Sequence, residues 1–231
     1  MAAPPKARRA LFPLYAFNVE VARAPWVTAE PGIAEIRLQW WIDALGEIAS
    51  GGVVRHHEVV LPLALCLSKA QARSLIPMIE ARSRDIYNEV FVNEEELLSY
   101  LDETSGRLMT AAVGVLGGAS TETARHAGRA QGVANWLLAV PALKAYGRHP
   151  LPDENKTAIA HLAGQGLIAL ETARRLGVQG EGHAACFALA GVRRILNSAR
   201  HNPERVLLGK LVPSPFRANL DLMKASFLNR W

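Results

Sequence analysis

At 231 residues, 50% hydrophobic and 20% charged, the chain has the size and make-up of one compact domain, or of two small ones sharing a core. That excludes a disulfide-knotted miniprotein, a collagen, a wholly disordered regulator and a multidomain giant. Its 26 Lys and Arg against 21 Asp and Glu leave a formal charge of +5, spread along the chain rather than gathered in a tail, which suits an anionic membrane, a phosphate-bearing partner or an ordinary soluble domain.

The 37 alanines and the apolar returns at three and four residues predict helices throughout. Residues 1–10, opening MAAPPKARR, lack the apolar run of a secretory signal and are expected to be a flexible segment ahead of a single domain over 11–231. A first helix is expected near 12–24. The second, over 31–50, starts at Pro31, carries a stripe of Ile33, Ile36, Trp40, Ala44 and Ile48, and stops at Gly51-Gly52. A third is expected near 59–87. Glu94-Glu95-Glu96 suit a helix N-terminus ahead of the stripe Leu97, Leu101, Leu108, Ala112 and Val115. Further helices are expected near 121–140, 155–176, 181–199 and 216–229. The strongest punctuation, AVPALKAYGRHPLPDEN at 139–155, reads as a loop over one continuous core, because the halves on either side have the same composition. No uninterrupted apolar run of about 18 residues is present to predict a membrane-spanning helix.

Candidate chemistry is sparse. Cys66 and Cys186 stand far apart and sit in apolar helical contexts, so neither a disulfide framework nor thiol redox work is expected, and the reading is a reducing cytosolic compartment. The seven histidines have no ligand spacing, and no metal ligands are assigned. Gly-rich phosphate loops, GxSxG and CxxC are absent. Nucleic-acid binding is not expected, since no aromatic-basic alternation or finger spacing supports it. Asp43 and Glu47 read as a solvated helix face rather than as metal ligands. Trp40 and Trp41, about 100° apart on a helix, cannot both face the core, and Arg37 lies four residues before Trp41, where it can stack. Arg82, Asp85 and Glu89 read as a surface ladder of ion pairs, with an anion-positioning arginine as the alternative. Phe216, Leu220, Met223, Phe227 and Trp231, with Arg217, Lys224 and Arg230, form a stripe that either closes the core or meets a membrane or partner.

Five segments carry a resemblance. They are the run from Leu14 and Tyr15 through Asn18 to Glu20 (LYAFNVE), RLQWW from Arg37, YLDETSGRLMTAAVGVLG from Tyr100, GRAQGVANWLL from Gly128, and GRHPLP from Gly147. In their order and spacing, over roughly 10–225, the chain resembles the squalene/phytoene synthase superfamily, and within it the branch of the mitochondrial respiratory complex I assembly factor and its alphaproteobacterial relatives. The resemblance implies an all-α, isoprenoid (trans-prenyl) synthase-like helical bundle around a central cavity. Active members join two prenyl diphosphates head to head on Mg²⁺ held by two aspartate-rich motifs. The first motif implies acids where this chain has Ala22, Arg23 and Trp26, and the second implies acids where it has Ala139 and Leu143. Asn135 and Arg148 survive from the pattern.

The expectation is therefore a non-catalytic synthase-fold protein acting in assembly or maintenance of respiratory complex I, with complex I subunits or assembly intermediates as partners and no cofactor. It is expected in the bacterial cytoplasm, or peripheral on the inner face of the cytoplasmic membrane. One alternative is a Mg²⁺-dependent prenyl transferase drawing its acids from Asp43, Glu47, Asp85, Glu89, Asp102 or Glu103. Another is a protein that binds a lipid or prenyl chain without turnover. Tyr15, Asn18, Glu20, Arg37, Trp40, Trp41, Arg82, Asp85, Tyr100, Asn135 and Arg148 are the cavity or interaction candidates.

Overall fold

Proline at the first turn and apolar residues at spacings of three and four shape both opening helices. The computed structural model describes residues 3–228 and Trp231. Helix α1, Pro5–Arg23, buries Leu11, Leu14, Phe17 and Val21 along one face. Phe17 and Leu14 are fully buried, each contributing about 1.5–3 kcal/mol relative to an exposed position. The first six residues of α1 thus lie within the segment expected to be flexible, and Ala7 is buried there. A 3-10 turn, Ala24–Trp26, leads to α2, Pro31–Ser50, which stops where Gly51 takes φ 76° and donates its N–H to the Glu47 and Ile48 carbonyls. The core stripe of α2 is Ala34, Leu38, Trp41, Ala44, Leu45 and Ile48; Ala44 and Ile48 are buried as expected, but in the first half of the helix Ile33 and Ile36 face outward and Trp40 is only part-buried.

The helix expected over 59–87 is three: α3 (Val60–Cys66), α4 (Lys69–Ala81) and α5 (Ser83–Tyr87). The break before α4 is a capping box, with Ser68 Oγ accepting from the Gln71 N–H and Gln71 reaching back to the Ser68 N–H. Asn93 caps α6 (Glu94–Leu101) by accepting from the Glu96 N–H. A single π turn, Asp102–Gly106, joins α6 to α7 (Arg107–Val115).

Helix α8, Thr121–Ala145, runs through the middle of the bundle and is buried mostly through small residues: Ala124, Ala127, Gly128, Ala130 and Ala134, with Val133 and Leu137. These let its neighbours come close. A Cβ on Gly128 would lie 2.5 Å from the Ser105 carbonyl oxygen and 2.6 Å from Gly106 Cα, so α8 touches the π turn backbone to backbone. Pro141 lies inside α8, and the loop 146–155 follows. Asn155 then caps α9, Lys156–Leu176. The helix expected over 181–199 is a 3-10 segment, Gly180–Leu189, followed by α10, Val192–His201, with Gly191 at φ 83° between them. Short α11 (Glu204–Leu207) and α12 (Pro215–Leu228) complete the described elements, which include no strand. One contiguous apolar core extends from Ala7 to Leu211.

Candidate functional site

Tyr15, Asn18 and Ala22 are spaced three and four apart and share one face of α1; Asn135, Ala139 and Leu143 are spaced by four on α8. The two faces meet across a cavity of about 450 Å³, with Trp26 at one side and α5, α6 and the loop after α8 completing the wall. Carboxylates at these helical spacings would converge on a common centre. Ala22, Ala139, Leu143 and Trp26 instead present two methyl groups, an isobutyl group and an indole, none of which can ligate a cation. Among the described residues, no group of three or more His, Cys, Asp or Glu side chains could hold a metal ion. The residues in place do not fit Mg²⁺, and no step through it follows.

What the cavity does hold is aromatic and guanidinium. Phe91, Tyr100 and Trp136 pack edge to face, with centroids 5.5, 5.8 and 5.5 Å apart. Trp136 Nε1 donates to the Pro150 carbonyl at 2.8 Å, tying the aromatic wall to the loop. Arg148 sits 4.7 Å over Trp26, and Arg84 sits 4.3 Å over Phe91. Arg82 Nη1 donates to the Tyr100 hydroxyl at 2.8 Å and to Asp85 at 3.2 Å, while that hydroxyl donates to Asp85 at 2.9 Å. The Arg82 and Asp85 side chains are only 18% and 11% exposed, so this is a cavity-wall network rather than the expected surface ladder. Glu89 takes no part in it and lies 3.9 Å from Arg84. Burial pushes the Tyr100 phenol far above its ordinary range, and pushes that of Tyr15 up to about 12, with Cys186 adding to the latter.

Tyr15, Asn18, Ala22, Trp26, Arg82, Asp85, Tyr100, Asn135, Ala139, Leu143 and Arg148 all line this cavity. Glu20, Arg23, Arg37, Trp40 and Trp41 do not; they line a separate outer depression with Ile36 and His57. Arg23 lies 3.9 Å from Glu20 there, so it does not replace a cation in the central cavity. The cation stacked on the tryptophan pair is Arg55, 4.7 Å over Trp40, rather than Arg37 on Trp41. Arg55 reaches that position because Glu47 of α2 accepts from its Nε at 3.0 Å and from its Nη2 at 2.6 Å. Of the alternative acids, Asp85 and Glu89 line the cavity, Asp85 paired with Arg82 and Glu89 3.9 Å from Arg84, whereas Asp43 accepts from Gln39, Glu47 from Arg55, Glu103 from Arg107, and Asp102 from Arg129 Nε at 2.8 Å, outside the cavity. Phe91, Trp136, Arg84 and His149 are wall residues that sequence reasoning missed. Trp136 was findable, because it follows Asn135 directly, whereas Phe91 arrives from a loop with no helical phase.

The squalene/phytoene synthase family profile matches residues 1–159. The chain belongs to the squalene/phytoene synthase family. The bovine (Bos taurus) protein named NADH dehydrogenase (ubiquinone) complex I, assembly factor 6 is 29% identical over 143 residues, covering 60% of this chain and 43% of its own length. The Drosophila melanogaster homolog of that factor is 32% identical over 149 residues, covering 60% of this chain and 44% of its own. The chain thus matches less than half the length of these curated relatives. A crystal structure of a dehydrosqualene synthase in complex with ligand superposes with a TM-score of 0.72 at 15% identity, covering 99% of this chain and 89% of that one. The fold is therefore the all-α, isoprenoid-synthase-like bundle of the squalene/phytoene synthase family, built around the cavity described above.

Proposed function

We propose that this family member is non-catalytic and acts in the assembly or maintenance of respiratory complex I. The observation that carries the reading is the cavity wall itself. Ala22, Trp26, Ala139 and Leu143 occupy the facing positions from which carboxylates would hold Mg²⁺ against a diphosphate. Without those ligands, a leaving diphosphate has no metal ion to meet its charge, and head-to-head prenyl transfer loses its activating group. The relatives named as complex I assembly factors support the proposed cellular role. Complex I subunits or assembly intermediates are the proposed partners. The outer depression around Arg37, Trp40 and Trp41, rimmed by Ile36 at 70% exposure, is the proposed contact region.

A second reading, retention of a lipid or prenyl chain without turnover, is favoured by the aromatic cavity and by Arg82 and Arg84. Both side chains line the cavity, and each keeps its Nε buried with no hydrogen-bond acceptor among the described residues.

Deleting the gene and resolving membrane complexes on native gels tests the role. The expected result is loss of assembled complex I, restored by the wild-type chain, together with no diphosphate release when the purified protein meets farnesyl diphosphate, Mg²⁺ and NADPH beside an active synthase. Normal complex I in the deletion strain refutes the assembly role, and turnover refutes the non-catalytic reading. Lipid extracted from the purified protein and identified by mass spectrometry decides the second reading.

A further inference from the structure

Helix α12 turns Ala218, Asp221 and Ala225 toward the body and its large apolar residues away. Ala225 is buried, and Asp221 pairs with Arg194 of α10, which fixes the inner side. Phe216, Leu220, Met223 and Phe227 recur at four, three and four residues and fall in one stripe on the opposite side. They are 76%, 38%, 55% and 83% exposed, so the core-closing role expected for this stripe is not theirs. Trp231 is part-buried and packs near His183 and Arg174, while Arg230 lies outside the described residues.

The charges beside the stripe have one sign. Arg217 and Lys224 are seven residues, about two turns, apart and project from the same flank of α12. Lys224 also borders a groove of about 400 Å³ between α9, α10 and α12, whose lining includes Arg174, Arg193 and Arg194; Asp221 pairs with Arg194, and Glu171 of α9 pairs with Arg193 and lies 3.9 Å from Arg174, so the cations still outnumber the carboxylates. Burial and then the neighbouring Arg193 hold the Arg174 guanidinium below its ordinary range. Its buried Nε has no acceptor among the described residues. Cations crowded in this way are stabilised by an anion brought from outside.

We propose that α12 is a docking surface for an anionic lipid bilayer, with Phe216, Leu220, Met223 and Phe227 entering the interface and Arg217, Lys224 and the arginine groove meeting headgroup phosphates. Charge complementarity selects this occupant. A second copy of the chain, pairing α12 against α12, would bring the two basic flanks together with no acid to separate them. At 14 residues α12 is about 21 Å long, and no described helix is long and apolar enough to cross a membrane, so the helix lies along the surface. The inference does not rest on the complex I reading, and purified components test it.

The test is flotation of the purified chain with vesicles of phosphatidylcholine alone and of phosphatidylcholine mixed with phosphatidylglycerol. The expected result is binding to the anionic vesicles only, weakened by salt. Neutralising Arg217→Gln with Lys224→Gln lowers binding about 25-fold, at roughly fivefold for each charge near an anionic surface. Phe216→Ser with Phe227→Ser abolishes it while far-UV circular dichroism and the unfolding temperature stay unchanged, since both rings are largely exposed. Failure of the wild type to float with anionic vesicles overturns the proposal, as does undiminished binding by the folded serine variant. A wild-type dimer in light scattering that the serine variant turns into a monomer also overturns it, in favour of a second copy.

Discussion

One substitution, glycine to alanine, has opposite consequences at two helical positions of this bundle. In an exposed helix interior the change is stabilising by about 0.5–1 kcal/mol, because alanine has less backbone freedom to lose. Gly164 of α9 meets that condition, since a Cβ there finds nothing within 4 Å. Gly128 of α8 does not: its Cβ would sit 2.5 Å from the Ser105 oxygen, 2.6 Å from Gly106 Cα and 3.0 Å from Gly106 N. These are backbone atoms of the π turn and cannot rotate aside, so the two elements must separate. Overpacking of this kind costs about 1–3 kcal/mol, and rigid backbone neighbours place Gly128→Ala at the upper end. Setting about 1 kcal/mol of helix propensity against that leaves a net loss of about 2 kcal/mol. For a chain of this length, about 2–4 °C per kcal/mol converts the two effects to a fall of about 4–8 °C for Gly128→Ala and a rise of about 1–4 °C for Gly164→Ala. Thermal unfolding followed by circular dichroism measures both. A Gly128→Ala variant as stable as the parent would refute the backbone contact between α8 and the π turn.

Two further predictions concern charged and hydrogen-bonded groups. Tyr100→Phe removes one acceptor from Arg82 and one donor to Asp85 but leaves their direct pair, so urea unfolding should show a loss of about 1–2 kcal/mol. Asp85→Asn leaves the Arg82 guanidinium without its counter-charge, and should cost more, about 3 kcal/mol; the reverse ranking would show that the pair, not the phenol, is dispensable. The Glu47 carboxyl is held below its ordinary 4.5 by the Arg55 side chain and then by the Arg55 N–H. That of Glu96 is held down by the Val92 N–H and then by Arg84. Both contributions are fully present above the unfolded carboxylate pKa and are lost as pH falls through the lower folded values. Unfolding temperatures measured down an acid series should therefore fall more steeply for the parent than for Glu47→Gln with Glu96→Gln, and parallel curves would contradict the assignment.

Helical class and the stop at Gly51 were legible in the sequence, because each rests on local spacing, whereas the positions where acids are replaced came from the resemblance to the family alone. Phase within α2 was not, since residues 33–45 carry apolar side chains on several faces and only the neighbours of α2 choose among them. That choice buries Leu38 and Trp41 and leaves Ile36 outside. The break at Ser68 had a readable signature in Ser68 and Gln71, overlooked inside an apolar run. Arg82 and Asp85 were visible as a pair, but their place in the cavity depends on Tyr100, whose hydroxyl reaches them from α6. Arg55 on Trp40 likewise spans 15 positions, beyond any helical spacing rule.

The π turn at Asp102–Gly106 has a consequence for how this chain tolerates insertion and deletion. Helices α6 and α7 behave as one rod whose two halves are clocked differently, so that Leu97 and Leu101 before the turn and Met109, Ala112 and Val113 after it all point into the core. Removing one residue there would let the rod become a regular α-helix with better local hydrogen bonding, yet it would swing everything downstream by about 100°. The local optimum of this segment and the optimum of the whole bundle are therefore different conformations, and the packing of α7 against α1, α4 and α8 holds the chain in the second.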